Sequence, residues 1–143
     1  MTIIQLLEKS VSTYLSPLLK KMHSEDVGSY EGLNSIEWLE VDVQETENEL
    51  SKALILRLGI SQSEKQLYLS NIFIPHIERN KGYGFGLINE IRNVAHVNGY
   101  ELFIVDMVPS FYRRMISKGA IPVKEADDAV LVDEDTQLLS HRS

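Results

Sequence analysis

The chain has 143 residues, 43% hydrophobic and 24% charged, which is the length of one domain with enough apolar material for a single sizeable core. It has no cysteine, which excludes disulfides and thiolate chemistry, and its net charge of −7 argues against general nucleic-acid binding, which needs a basic surface. No apolar run is long enough to cross a bilayer and the N-terminus MTIIQLLEKS lacks signal-peptide features, so a cytoplasmic protein without membrane contact is expected.

Ile3, Ile4, Leu7, Val11, Tyr14, Leu15, Leu18 and Met22 form a helical stripe, which Ser16-Pro17 is expected to divide into two consecutive helices. His23 to Asn34, with Gly28 and Gly32, reads as loop or a poorly formed helix. Ile36 to Val43 alternates as a strand, with a phase slip at Trp38-Leu39 that suggests a bulge, and Glu45 to Glu49 is an acidic turn. Ala53 to Ile60 and Leu67 to Ile74 read as a hairpin joined by Ser61-Gln62-Ser63-Glu64-Lys65. A helix with Leu87, Ile88, Ile91, Val94 and Ala95 on one face stops at Asn98-Gly99. Leu102 to Val105 is a short buried strand, Pro109 to Lys118 a helix closed by Gly119, Val130 to Val132 a last strand, and the polar tail from Asp133 is expected to be loose. Helices, an antiparallel meander, then strand–helix–strand–helix–strand make a mixed α/β fold of α+β type in one domain, 1–143.

Charge is unevenly placed. Arg79, Lys81, Arg92, Arg113, Arg114 and Lys118 outnumber Glu90, Glu101 and Asp106 between positions 79 and 118, a basic segment in an acidic chain. That suits a polyanionic ligand held at one place, with a cationic partner steered to the remainder. The same segment contains Gly82, Gly84 and Gly86 at the start of a helix, where a bare backbone and unpaired N–H groups attract an anion, most often a phosphate. A P-loop is excluded because no lysine and hydroxyl follow these glycines. A dinucleotide fingerprint is disfavoured. Leu87 occupies the third glycine's place and Pro75 to Lys81 separate strand from loop, although Asp106 lies near the position of a ribose-binding acid.

The third pattern fits. Arg79-x-x-Gly82-x-Gly84, after a strand ending Ile74-Pro75 and before an amphipathic helix, resembles the acetyl-CoA loop of the GNAT N-acyltransferase superfamily. Downstream, strand Leu102 to Val105 followed by Ser110-Phe111-Tyr112-Arg113-Arg114-Met115 and Lys118-Gly119-Ala120 is similar to the family's Phe-Tyr helix. Met107-Val108-Pro109 and Ala120 depart from the family's usual asparagine and phenylalanine, and its first strand is absent or degenerate, since the first helix is expected to begin by Ile3. The resemblance implies a GNAT-like, largely antiparallel central sheet with helices on both faces and a splayed strand pair holding acyl-CoA.

It also implies roles. Backbone from Arg79 through Lys81, Gly82, Tyr83, Gly84 and Phe85 to Gly86 would hold the CoA pyrophosphate. Phe73 and Ile74 would lie along pantetheine, and main-chain N–H on that strand would stabilise the oxyanion. Tyr112 would protonate the leaving thiolate, a task open to an ordinary tyrosine that keeps its proton at neutral pH. A general base is sought among His76, Glu78, Asp106 or a water on Tyr68 or Ser70. No His/Asp/Glu spacing suggests a metal. The implied reaction is acetyl transfer from acetyl-CoA to a primary amine, on a small molecule or a protein lysine or N-terminus, by direct attack in a ternary complex. Dimers are frequent in the family, so a homodimer is one option. Two rivals stand beside this: a CoA-binding sensor or interaction module without catalysis, and a structural α/β protein whose glycine segment is only a turn.

Overall fold

In a computed structural model, residues 1–47, 53–74 and 82–139 are described. Helix α1 spans Ile3–Leu19. Thr2 caps it: its hydroxyl accepts from the Gln5 N–H while the Gln5 side chain accepts from the Thr2 N–H, a reciprocal capping box. The expected break at Ser16-Pro17 does not occur. Pro17 falls in the last turn, so the lost N–H bond and the ring's clash with the Thr13 carbonyl affect only the end, and the helix stops two residues later.

The segment read as loop, His23 to Asn34, is instead mostly strand β1, Ser24–Glu31, antiparallel to β2, Glu37–Gln44. β1 is an exposed edge with only Val27 packed on the core, so it lacks the alternation that marks a strand in sequence; its backbone ladder makes it. A tight turn with Asn34 and Ser35 in the left-handed region joins the two. No bulge occurs at Trp38-Leu39: the two side chains lie on opposite faces, and the register slips at Val41/Asp42. Of the expected acidic turn, 48–49 lie outside the described residues.

β3 (Ala53–Ser61) and β4 (Gln66–Ile72) form the expected hairpin. Then follow α2 (Tyr83–Val97), β5 (Glu101–Ile104), α3 (Pro109–Ser117), β6 (Ile121–Pro122) and β7 (Val130–Val132). Among the described residues seven strands form one sheet in the order β1-β2-β3-β4-β5-β7-β6, in which β4 and β5 pair in parallel and the other pairs are antiparallel. This is a mixed α/β fold with a largely antiparallel central sheet.

Register places Leu39, Val41, Leu56, Leu58, Ile60, Leu67, Leu69, Leu102, Ile104, Val130 and Val132 on one face, all buried. α1 and α2 pack on each other over this face, with Leu7, Val11, Leu15, Leu87, Ile88 and Ile91 fully buried. α3 contacts β7 and the start of α2 and buries Met115. The opposite face carries the row Tyr30, Trp38, Gly59, Tyr68, Phe103 and Leu131, one residue from each successive strand.

The expected loose tail from Asp133 is packed as far as it is described. Thr136 and Leu138 are each 2% exposed, and Arg92 of α2 donates to the Asp133 and Thr136 carbonyls. The polar composition of this segment concealed a single buried leucine and a side chain that satisfies its backbone.

Candidate functional site

The parallel pair gives the site its shape. β4 and β5 are matched from Gln66/Glu101 to Leu69/Ile104, with one further bond from the Val105 N–H to the Leu69 carbonyl at 2.9 Å. β5 ends there, while β4 continues along β3 through Ser70, Asn71 and Ile72. The chain leaves β5 through Asp106, whose φ of 57° is left-handed, a conformation aspartate tolerates better than most residues. Pro109, in the first turn of α3, has no N–H with which to extend a ladder. The two strands therefore part, and Ser70, Asn71 and Asp106 line a cavity of about 160 Å³ at the opening.

Ile72, Val108 and Phe111 border both this cavity and a groove of about 580 Å³. The groove's walls are Ile72 at the end of β4 and Ile74 just beyond it, and the start of α3, with Val108, Phe111 and Arg114; its end is the first turn of α2, Gly82 to Phe85. Gly82, at φ 78°, caps α2 in a conformation that favours glycine, with no side-chain cap. The first helical bond runs from the Gly86 N–H to the Gly82 carbonyl at 3.0 Å. The N–H groups of Tyr83, Gly84 and Phe85 have no acceptor among the described residues, so they and the helix dipole favour an anion. Arg114 and Lys118 sit over the Phe85 ring, at 4.9 and 4.5 Å from its centre, and add positive charge at this end.

The sequence-predicted residues separate into three groups. Ile74, Gly82, Tyr83, Gly84 and Phe85 line the groove, and Phe73, 38% exposed, follows the end of β4 with its N–H bonded to the Ile55 carbonyl at 2.9 Å. Gly86 is buried, and a Cβ there would collide with the Tyr14 hydroxyl; its bareness answers to helix packing, and its N–H is already spent inside α2. Arg79 and Lys81, with His76 and Glu78, lie outside the described residues. Tyr112 is half-buried against the core on α3, one residue beyond Phe111, and it is Phe111 that walls the groove.

Arg114, Lys118 and Asn71 were not singled out from sequence; the basic excess between 79 and 118 was the available signal for the first two. Tyr14 edges onto the Tyr83 ring at 6.2 Å, and burial first, then the charges of Glu90 and Tyr83, push its hydroxyl above the ordinary tyrosine pKa. Among the described residues no group of three or more His, Cys, Asp or Glu is arranged to hold a metal, and no helix is long and apolar enough to cross a membrane.

No protein-family model matches the chain, and no curated protein matches it. One solved structure is similar over 85% of this chain and 81% of its own, at 12% identity and a TM-score of 0.37; it is described as a "putative acetyltransferase" from Agrobacterium tumefaciens. A likeness at that level carries no weight here.

Proposed function

We propose that this chain is a GNAT-type N-acyltransferase that transfers an acetyl group from acetyl-CoA to a primary amine. One observation carries the reading: the cavity at the opening between β4 and β5 adjoins the groove that ends at the bare first turn of α2, and the two share Ile72, Val108 and Phe111 as walls. A long, narrow donor with an apolar arm and an anionic end suits that path. Its pyrophosphate would meet the Tyr83, Gly84 and Phe85 N–H groups with Arg114 alongside. Its arm would follow Ile72 and Ile74, and a main-chain N–H on the stretch of β4 that β5 leaves would face the developing oxyanion. The neutral amine nitrogen attacks the thioester carbon, the carbon–sulfur bond breaks, and the thiolate takes a proton, for which Tyr112 is the proposed donor; the proton that the nitrogen gives up leaves through water and restores the tyrosine.

Binding of acetyl-CoA by calorimetry and thermal shift tests the reading. Heat and a raised melting temperature at up to millimolar acetyl-CoA are expected, and the absence of both defeats it. Tyr112→Phe should lower kcat with little change in acetyl-CoA affinity; a large affinity loss makes the residue structural. A second reading, a CoA-binding module without catalysis, draws on Phe111 rather than Tyr112 facing the groove. Turnover against a panel of amines separates the two.

A further inference from the structure

On the face of the sheet away from α1 and α2, four side chains form a chain of contacts toward the cavity. Tyr30 donates to Glu40 at 3.0 Å, and Arg57 pairs with the same carboxylate oxygen at 3.1 Å. The Arg57 guanidinium stacks on Trp38, 3.6 Å from the ring centre. Trp38 is seated tightly: a Cβ on Gly32 or Gly59 would press into its indole at 2.7 and 2.8 Å. The guanidinium, planar and held on two sides, then donates from Nη1 to the Ser70 Oγ at 3.3 Å. Ser70 is one of the β4 residues that β5 leaves unpaired, and it lines the cavity.

We propose that Arg57 is a positioning residue that orients the Ser70 hydroxyl in this cavity as part of an acceptor set for a primary ammonium or amine. A hydroxyl has one proton and two lone pairs. Arg57 takes one lone pair, leaving the other for an N–H. Asn71 donates from its amide nitrogen to the Leu54 carbonyl at 3.0 Å, so its remaining polar atom is the acceptor Oδ1, and both Asn71 and Asp106 line the cavity; the proposed set takes that oxygen and the Asp106 carboxylate as its other members. Three acceptors with one negative charge match the three donors of –NH₃⁺ and mismatch an anion or a carbonyl. The volume, about 160 Å³, is room for about five waters, or an aminoalkyl end, and far too small for a nucleotide.

This assignment rests on the acyltransferase reading, since it makes the cavity the amine's side of the reaction, but its test does not depend on knowing the natural acceptor. Backbone amide NMR would follow Ser70, Asn71 and Asp106 while ethylammonium chloride is titrated to roughly 100 mM, with tetramethylammonium chloride, which has no N–H, as the control. A saturable shift at these three residues with ethylammonium alone is expected. Ser70→Ala should weaken it roughly tenfold, Ser70→Thr should retain it, and Arg57→Met, with its stem still on Trp38, should weaken it well below its melting temperature. Equal shifts from both cations, or full affinity in Arg57→Met, overturn the proposal. A protein that binds acetyl-CoA without the ethylammonium-specific response overturns this assignment alone; one that binds ethylammonium but no acetyl-CoA overturns the acyltransferase reading beneath it.

Discussion

Tyr14 of α1 lies directly over the Cα of Gly86 in α2, leaving no space for a Cβ, whereas a Cβ on Gly84, two residues earlier, would meet nothing within 4 Å. Two glycines of one motif therefore answer to different demands. Gly86→Ala should destabilise the fold by about 1–3 kcal/mol through overpacking. Gly84→Ala should be neutral or slightly stabilising, since alanine is the better helix former, yet it should weaken acetyl-CoA binding by crowding the bare N–H groups. Urea unfolding and calorimetry on both variants measure the contrast; matching losses of stability would refute it.

Arg114 borders the groove and rests on the Phe85 ring. Arg114→Gln should weaken acetyl-CoA several-fold with little change in stability, because the charge is solvent-exposed in the free protein. The wild-type affinity should fall with added salt, and the variant's should fall less steeply. Calorimetry at two salt concentrations is the measurement.

Alkaline stability should depend on tyrosines. Burial, more than the charges near them, raises the pKa of Tyr14, Tyr68 and Tyr100 above the ordinary value of 10.0. A group with a raised folded pKa keeps its proton in the native state after the unfolded chain has lost it. The native state then binds more protons, so this contribution is intact below about pH 10 and is lost as pH rises through the folded values. Tyr14→Phe should flatten the decline, which melting temperatures between pH 9 and 11 will record.

The tail is part of the fold. Arg92 is half-buried, its pKa lowered by burial against the partly offsetting charge of Asp133, and it holds the carbonyls of Asp133 and Thr136. Arg92→Ala should cost about 1–3 kcal/mol by leaving those acceptors unpaired. Leu138→Ala, at a site 2% exposed, should cost about 2–5 kcal/mol. Chemical denaturation distinguishes these outcomes from the near-zero effect of a free tail.

Elements that bury a periodic face are legible in the sequence: α1, the β3–β4 hairpin, α2 and β7 all announce themselves by apolar spacing. β1 was hidden because an exposed edge strand is specified by its neighbour's backbone rather than by its own side chains. The slip expected at Trp38-Leu39 came from two apolar neighbours that serve opposite faces, one on the core and one under Arg57. At the site, Gly82 and Gly84 declared a bare helix start. That Gly86 makes way for Tyr14 was unreadable, because the contact joins residues 72 positions apart. Arg57 was hidden for the same reason: its partners Trp38, Glu40 and Ser70 come from the two strands on either side of its own.

β5 has only four residues, and Asp106 turns the chain aside just as Ser70, Asn71 and Ile72 come within reach. A strand two or three residues longer would zip against them and seal the sheet. The hole is thus a matter of punctuation: the cavity exists because one strand is told where to stop. A β-branched residue at 106 favours continued extension, and its predicted effect is to close the cavity by lengthening β5 while also removing the Asp106 carboxylate from its lining.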